Sequence, residues 1–328
     1  MVTEVLETHS AEQRAIAVNR AVSRLEAGEP VALPSETVYG LAADATNADA
    51  VARIFEAKER PLFDPLIVHV ADPEAVNAFA RIPDFCRRLI DHFWPGPLTL
   101  ILPRRGGLVP DIVTAGLHTV AVRAPAHPLF REVLLTFRKP IAAPSANRFG
   151  RISPTSAAHV RAELSGRIPL ILADEPSIHG VESTIVWVDE EKLRILRNGP
   201  ITPEELSRFG EVSEMADTGS AVAPGQLKSH YAPVTPLVLV EKNRSISLDP
   251  GKRYALLRFE AGSRPREGFE VVETLSRSGE VREAARNLFA AMRRLDASGV
   301  DIIVAEAIEE HGLGHAIMDR LRRAAARE

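Results

Sequence analysis

The sequence predicts an α/β protein built from two units, and three observations support this prediction. First, the chain has 328 residues, which is more than one ordinary domain needs. Second, short apolar runs alternate with segments of helical period up to about residue 210. Third, a stretch rich in glycine, proline and polar residues follows, and a second α/β pattern begins at Pro236. We therefore expect a first unit over 1–210, a linker over 211–235 and a smaller α/β unit over 236–328.

The helices of the first unit are predicted from apolar residues that recur at helical spacing. Val51 and Ile54 share one helical face, and Lys58 follows on that same face before a proline ends the helix. Thr155 and Thr202 are expected to cap two of the later helices. The predicted helices span 11–29, 48–59, 74–82, 84–94, 127–137, 159–164 and 201–210.

The strands of the first unit are predicted from short runs of large apolar residues between turn signals. The last two runs flank an acidic turn at 189–191, which is typical of a hairpin. The predicted strands span 31–35, 66–70, 98–103, 119–125, 140–147, 169–174, 183–188 and 192–197, and the run at 140–147 passes into a polar loop.

The second unit repeats the alternation on a smaller scale. Its strands are predicted at 236–242, 253–259, 270–275 and 301–308. One apolar helical stripe is formed by Val281, Ala285, Leu288, Met292 and Leu295. A terminal helix is predicted at 316–325. This order indicates a compact α/β domain.

Composition and charge exclude several classes of protein. The formal net charge of −4 argues against a whole-surface affinity for nucleic acid or anionic membranes, although it permits a local basic pocket. Cys86 is the only cysteine, so neither an intramolecular disulfide nor a cysteine-based zinc site can form. We see no signal peptide and no apolar stretch long enough to span a membrane. A reducing, cytoplasmic location is therefore expected.

Three segments resemble well-known ligand-binding motifs, but each lacks a residue that its motif requires. GSAVAPGQLKS has Gln226 where a phosphate loop requires lysine. HGLGHAI has Ile317 where the dinucleotide fingerprint requires its third glycine. His311 and His315 are four residues apart but lack the glutamate of a zinc protease motif.

What remains is a set of polar residues where buried strands meet loops, the usual place for ligands in α/β folds. They occur in PSETVYG (34–40), PSAN (144–147) and GVEST (180–184), together with Lys58, Arg60, His69, Arg123, Ser153 and Arg197. Each has a structural alternative. Lys58 suits a helix C-terminus, His69 suits a hydrogen-bonded core position, and Thr37 has β propensity.

Taken in order, the motifs carry a family resemblance. PSETVYGLAADA, AKERPLFDPLIVHV, FWPGPLTLIL, TVAVRAP, PSANRFGRISPT, GVESTIV and ILRNGPI resemble the successive motifs of the threonylcarbamoyl-AMP synthase family, whose catalytic domain is of the YrdC type. GQLKSHYAP and GLGHAIMDRLRRAA are similar to the linker and C-terminal signature of its long form. The resemblance implies a YrdC-like twisted mixed-sheet catalytic domain with a concave pocket, plus a smaller, Rossmann-like C-terminal domain.

The resemblance also implies a reaction. L-threonine, bicarbonate or CO2, and ATP would give threonylcarbamoyl-AMP and pyrophosphate. Separate transferase proteins would then pass the threonylcarbamoyl group to an adenosine beside the anticodon of certain tRNAs. Pyrophosphate departure spreads negative charge, so positioned cations are needed rather than a strong nucleophile. Lys58 and Arg60 would be these catalytic cations.

The family's site residues carry over by matching motif. The ATP-binding residues would be Lys58, Arg60, Asp64, Thr119, Ser145, Asn147, Ser153, Arg197 and Tyr231. The L-threonine-binding residues would be Thr37, His69, Arg123, Ala143 and Ser183, with the planar fork of Arg123 suited to the substrate carboxylate. Mg2+ is expected with ATP, and its protein ligands are left unassigned.

One residue departs from the pattern that the resemblance implies. Asp64 stands where the family usually has asparagine, and it would either repel phosphate or help to hold magnesium.

The linker would fold over the nucleotide pocket as a lid that places Tyr231 on ATP, although a flexible tether is the alternative.

Two other functions are weighed against the synthase. The first is an RNA-binding module, because the resemblance implies a positively charged concavity and a role in tRNA modification, so direct but weak tRNA binding is possible. It is disfavoured by the negative net charge and by a total of three tyrosines and two tryptophans for base stacking. The second is a related carbamoyl-adenylate chemistry with another acceptor, which the amino-acid pocket around Arg123 disfavours.

Overall fold

The computed structural model describes residues 1–189, 192–214, 230–241, 246–262 and 267–326. The strands, in chain order, are β1 (Glu4–Glu7), β2 (Val31–Leu33), β3 (Gly40–Asp44), β4 (Ile67–His69), β5 (Leu98–Pro103), β6 (Thr119–Arg123), β7 (Ile141–Ala142), β8 (Leu170–Ala173), β9 (Thr184–Asp189), β10 (Lys192–Arg197), β11 (Glu211–Glu214), β12 (Leu237–Val240), β13 (Tyr254–Glu260), β14 (Val271–Ser276) and β15 (Ile302–Glu306).

The helices lie between these strands as the alternating pattern predicts, except for the short helix at Asp111–Thr114, which was not predicted. They are α1 (Ala11–Glu26), α2 (Ala48–Lys58), α3 (Asp84–Phe93), α4 (Asp111–Thr114), α5 (Pro128–Phe137), α6 (Ala157–Leu164), α7 (Pro203–Leu206), α8 (Val281–Asp296) and α9 (Gly314–Ala325), with a 3-10 helix at Glu74–Ala78. None of the helices in the described part of the chain is long and apolar enough to cross a membrane.

The larger sheet is mixed, as the resemblance implies. Across the described residues its order is β1-β8-β2-β3-β7-β4-β6-β5-β9-β10-β11. β4 runs parallel to β6 and antiparallel to β7, and β9 and β10 form the predicted antiparallel hairpin. Helices α1 and α5 pack on one part of the sheet and α2 and α3 on another, in two separate apolar clusters. The predicted mixed-sheet domain is therefore confirmed.

Helix α2 shows how the sequence sets up the site. The side chain of Asn47 caps the first turn by accepting hydrogen bonds from the backbone N–H groups of Asp49 and Ala50. The apolar side chains of Val51 and Ile54 are buried. Lys58 is the last helical residue and is also buried. The chain then leaves the helix at Glu59, which has a φ of 56° in the left-handed region.

The smaller sheet forms the second domain. Its four strands, in the order β12-β15-β13-β14, are all parallel. The predicted stripe on α8 is largely buried against this sheet, together with α9. The parallel sheet, with α8 and α9 packed on it, confirms the predicted small α/β domain.

The two domains share one apolar cluster. Val38 and Val181 of the larger domain lie in the same cluster as Leu288 and Phe289 of α8. Gly180 lies so close to α8 that a Cβ atom there would come within 2.4 Å of the helix backbone. The C-terminal domain is therefore packed directly against the GVEST segment.

Several local predictions differ from the structure. Residues 74–82 form only a short 3-10 helix, and Ser156 rather than Thr155 caps α6. Strands β1, β3 and β11 were not predicted. β1 is half-exposed and charged, and β11 is short and polar. β3 is rich in alanine, which has a low β propensity, and it forms a strand because it pairs with its neighbours. Since β11 pairs with β10, the first four residues of the predicted linker extend the larger sheet. Residues 215–229 of that linker lie outside the described residues.

Candidate functional site

The predicted site residues converge on a cavity of the larger domain. The parallel register of β4 and β6 places His69 directly beside Arg123, at the carboxyl ends of both strands. The loop after β7 closes over them, and Ser145 forms a bridge to Gly40. Nine predicted residues line this cavity: Thr37, Arg60, His69, Arg123, Ala143, Ser145, Ser183, Arg197 and Tyr231.

Arg123 is the centre of the predicted threonine half. Its Nε donates to the Gly96 carbonyl at 3.0 Å, and its Nη1 donates to the Thr37 hydroxyl at 2.9 Å. Its Nη2 donates to the carboxylate of Glu36, which also accepts from the backbone N–H of Ala126. A guanidinium group has five N–H donors, so two remain for a ligand. These contacts fix its plane before any ligand arrives.

Glu36 balances the charge of Arg123. Burial alone would raise the pKa of Glu36, but Arg123 and the Ala126 N–H outweigh it and lower the pKa to about 2. Both side chains are almost completely buried, so the pair is held away from solvent. The carboxylate therefore remains ionised at every physiological pH.

His69 is a neutral member of the cavity wall. Its ring stacks on Phe130, with ring centroids 5.1 Å apart. Burial, together with the positive charge of Arg123, lowers the pKa of His69 to about 3. Its buried Nδ1 has no hydrogen-bond partner within the described residues. The imidazole is therefore available as a neutral hydrogen-bonding group.

Ser183 joins the two halves of the cavity. Its hydroxyl hydrogen-bonds to the Thr99 hydroxyl at 2.8 Å and accepts from Arg197 Nη2 at 3.0 Å. Arg197 also donates from Nε to the Ser183 carbonyl. Arg197 ends β10 beside the start of β9, so the hairpin itself brings this cation to the cavity.

Lys58 does not line the cavity but supports one of its walls. Its Nζ donates to the Ser145 carbonyl at 2.5 Å and to the Asn147 carbonyl at 2.6 Å. Burial and then the neighbouring charge of Arg60 lower its pKa well below 10.5. Lys58 therefore fixes the PSAN loop, and the helix C-terminal cation of the sequence becomes a loop anchor.

Arg60 lines the cavity, and the Asp64–Pro65 segment behind it holds its side chain in place. Its Nε donates to the Asp64 carbonyl and its Nη2 to the Pro65 carbonyl, at 3.2 and 2.9 Å. The same Nη2 lies 2.8 Å from Asp64 Oδ2, as an ion pair without hydrogen-bond alignment. Burial raises the pKa of Asp64, and Arg60 opposes that change.

His230 and Tyr231 cover the cationic half of the cavity. Tyr231 is buried with a φ of 60°, a conformation that is rare for a bulky residue and indicates local strain. Burial and then the charges of Arg60, Lys58, Arg197 and Arg320 lower the pKa of His230 well below 6.5. The imidazole is therefore neutral and adds no charge to this half of the cavity.

Five predicted residues do not line the cavity. Lys58 and Asp64 support it as described above. Asn147 donates to the carbonyls of Arg148 and Arg151, which shapes its loop, and Ser153 donates to Glu182 on the cavity wall. Thr119 starts β6 while Arg123 ends it, roughly 13 Å further along the strand. The role of Thr119 stays a prediction.

Four polar residues of the cavity region were not among the predicted site residues. They are Ser35, Glu36, Glu182 and His230. Glu36 and Glu182 lie inside motifs that were singled out, and a carboxylate between buried strands was the signal that could have found them. The partners of Glu36 and Glu182 lie far away in the sequence, so the two ion pairs could not be predicted from the sequence.

The described residues contain no cluster of three or more His, Cys, Asp or Glu that could hold a metal ion. Magnesium commonly uses only one or two carboxylates and takes its other ligands from phosphates and water. Asp64 is the carboxylate nearest to the predicted phosphate-binding cations, but it is paired with Arg60. The residues present therefore do not fit a protein-held metal centre.

Comparisons with known sequences find relatives for both parts of the chain. A family model described as Telomere recombination, of the Sua5/YciO/YrdC group, matches residues 23–199. A model described as Threonylcarbamoyl-AMP synthase, C-terminal domain, matches residues 201–326. The chain is 41% identical to the threonylcarbamoyl-AMP synthase of Pyrococcus abyssi, over 93% of this chain and 92% of that protein. It is 39% identical to that of Bacillus subtilis, over 94% and 92%.

A solved structure supports the same relationship. The crystal structure of P. abyssi Sua5 complexed with L-threonine has a TM-score of 0.87 and 37% sequence identity to this chain. The match covers 99% of this chain and 98% of that chain, so both domains are included. The chain therefore belongs to the threonylcarbamoyl-AMP synthase family.

Proposed function

We propose that this protein makes threonylcarbamoyl-AMP and pyrophosphate from L-threonine, bicarbonate or CO2, and ATP. The observation that carries the proposal is the single cavity lined both by the Arg123 group and by the cations Arg60 and Arg197. One group suits an amino acid and the other suits a triphosphate. The family membership and the L-threonine complex of the P. abyssi relative support the same assignment.

The threonine half would hold the substrate by its carboxylate. The two remaining N–H groups of Arg123 suit a bidentate contact with that carboxylate. Thr37 and Ser183 supply hydroxyl groups, and neutral His69 supplies a further polar atom without adding charge. The Ala143 carbonyl would accept from the amine or hydroxyl. The amine would then be held facing the nucleotide half, where its nitrogen bonds to the carbon of CO2 with loss of a proton, or to that of bicarbonate with loss of water, and gives a carbamate.

The nucleotide half would act through positioned charge. A carbamate oxygen forms a bond to the α-phosphorus of ATP while the bond to the pyrophosphate oxygen breaks. Arg60 and Arg197 would stabilise the charge that accumulates on the departing pyrophosphate. Lys58 would add positive potential while it holds the PSAN loop for Ser145 to contact ATP. Mg2+ would come with the phosphates, and no step here depends on a protein-held metal.

The His230–Tyr231 segment would act as the lid. The positive charges of Arg60, Lys58, Arg197 and Arg320, which act on the neutral His230, would also attract the phosphates to this half of the cavity. Tyr231 would then contact the nucleotide and help to exclude water from the labile adenylate. The product would pass to separate transferase proteins that modify tRNA, with at most weak direct tRNA binding by this chain.

Pyrophosphate release tests the proposal. The protein would be incubated with ATP, bicarbonate and each common amino acid in turn. Release that depends on threonine, with serine as the closest analogue and a weaker substrate, is the expected result. Release with a different amino acid would point to a related carbamoyl-adenylate chemistry, and no release with any of them would overturn the proposal.

A further inference from the structure

Arg320 is a charged residue of the C-terminal domain that lies completely buried against the catalytic domain. It sits in the middle of α9 and has 0% relative exposure. Its Nε donates to Glu182 Oε2 at 2.9 Å, and its Nη1 donates to Asp319 Oδ2 at 2.6 Å. Burial of a guanidinium group lowers the stability of the fold unless carboxylates pair with it. The contacts with Glu182 and Asp319 therefore make burial of Arg320 at this interface possible.

The partner of Arg320 is part of the cavity wall. Glu182 lies in the GVEST segment and lines the cavity next to Ser183. Its Oε2 accepts from Arg320, while its Oε1 accepts from the Ser153 hydroxyl. One carboxylate therefore links α9 to a residue that the family resemblance assigns to ATP. Gly180, in the same segment, lies against α8, so both C-terminal helices support this wall.

The second contact of Arg320 is with the lid. The guanidinium carbon lies 5.1 Å from the centroid of the Tyr231 ring, within the range of a cation–π interaction. The Tyr231 ring also stacks on Phe289 of α8, with ring centroids 5.7 Å apart. The strained Tyr231 is thus held by two side chains of the C-terminal domain. Arg320 Nη2 has no hydrogen-bond partner within the described residues, so the group depends on the contacts just named.

We propose that Arg320 is a positioning residue for the nucleotide half, through which the C-terminal domain holds both Glu182 and Tyr231 in place for ATP. This inference rests on the proposed function, because it takes Ser153 and Tyr231 as ATP contacts. It gives the C-terminal domain a direct part in building the ATP site. The threonine half does not depend on it, since Arg123 is fixed by Thr37, Glu36 and Gly96 instead.

The test compares three variants of the full chain. Arg320→Met removes the charge and keeps the length of the side chain. The double variant Arg320→Met/Glu182→Gln removes both charges together, so no uncompensated buried carboxylate is left to unfold the protein. Arg322→Met, on the same helix, is the matched control, because Arg322 pairs with Glu310 at the exposed surface.

Equilibrium binding separates positioning from general damage. ATP binding is measured by calorimetry without threonine or bicarbonate, so that no turnover occurs, and threonine binding is measured separately. We expect the Kd for ATP to rise about tenfold or more in both Arg320 variants, as for other supporting residues of a site. We expect the Kd for threonine to stay within about twofold, which corresponds to less than about 0.5 kcal/mol. The control should match the wild type in both.

Two results would overturn the inference. One is an unchanged Kd for ATP in the folded double variant. The other is a rise of both Kd values by the same factor, which is the pattern of a merely structural role. Failure of the wild type to release pyrophosphate with threonine would count against the proposed function instead, and the ATP titrations would still decide the role of Arg320.

Discussion

Arg60 and Asp64 form a buried ion pair at the edge of the cavity, with Arg60 Nη2 2.8 Å from Asp64 Oδ2. Neither side chain is more than 4% exposed, so water screens the pair little. The cation that we assign to phosphate thus already has a counter-charge. The aspartate stands where the family resemblance implies asparagine, and its contact with Arg60 makes the consequence of that difference testable.

Asp64→Asn is expected to tighten ATP binding several-fold, because it removes a negative charge beside the phosphate site while the carbonyl contacts of Arg60 remain. Titration calorimetry with ATP measures the effect. Asp91→Asn, an exposed change of the same charge on α3, is the control. Weaker binding of ATP that excess Mg2+ partly restores would instead assign Asp64 to the magnesium ion.

Lys58→Met is expected to lower kcat by about 100-fold or more, because the PSAN loop loses its anchor and the site loses a positive charge. The free energy of unfolding should also fall by about 3 kcal/mol, since two carbonyls lose a charged donor. Steady-state kinetics and urea unfolding measure the two effects. Lys252→Met, at an exposed position of the C-terminal domain, should change neither. Full activity in Lys58→Met would show that the loop does not need this anchor.

Glu36 should make the stability depend on pH in the acid range. Its pKa is about 2 in the folded protein and near 4.5 when it is unfolded, so its stabilising effect is complete above pH 4.5. That effect, about 3 kcal/mol, is lost as the pH falls from 4.5 towards 2. Glu36→Gln should therefore flatten the fall of Tm in that window, whereas exposed Glu56→Gln should not. Identical Tm profiles for the wild type and Glu36→Gln would contradict the account.

Threonine binding should not follow the titration of His69. With a pKa of about 3, this side chain stays neutral from pH 8 down to pH 5. Calorimetric Kd values for threonine across that range should therefore show no step near pH 6.5, the ordinary value for histidine. A step that the variant His69→Gln abolishes would show that the imidazole is charged in the free protein.

The sequence predicted the architecture well where its signals were local. The caps of α7 and the apolar faces of α2 and α8 lie where hydrophobic spacing and capping residues placed them. β3 was missed because GLAAD has poor strand propensity and becomes a strand only by pairing between β2 and β7. The order of the strands in the larger sheet follows from contacts between segments far apart in the sequence.

Residue types and motifs allowed most of the polar residues of the candidate site to be predicted, but not the contacts that these residues make with one another. Arg123, His69 and Arg197 were singled out because polar groups at the ends of buried strands need a reason to be there. Glu36 and Glu182 were not, because their significance depends on Arg123 and Arg320, which lie 87 and 138 residues away. Lys58 was identified, and the structure adds that its ammonium group holds the PSAN loop.

The most direct test of the central claim identifies the nucleotide product. The protein would be given ATP, 13C-bicarbonate and 15N-threonine, and the products would be separated and weighed by mass spectrometry. The account predicts an adenylate that carries both labels, formed in step with pyrophosphate. An unlabelled AMP, or an adenylate that carries the amino acid without the bicarbonate carbon, would contradict it.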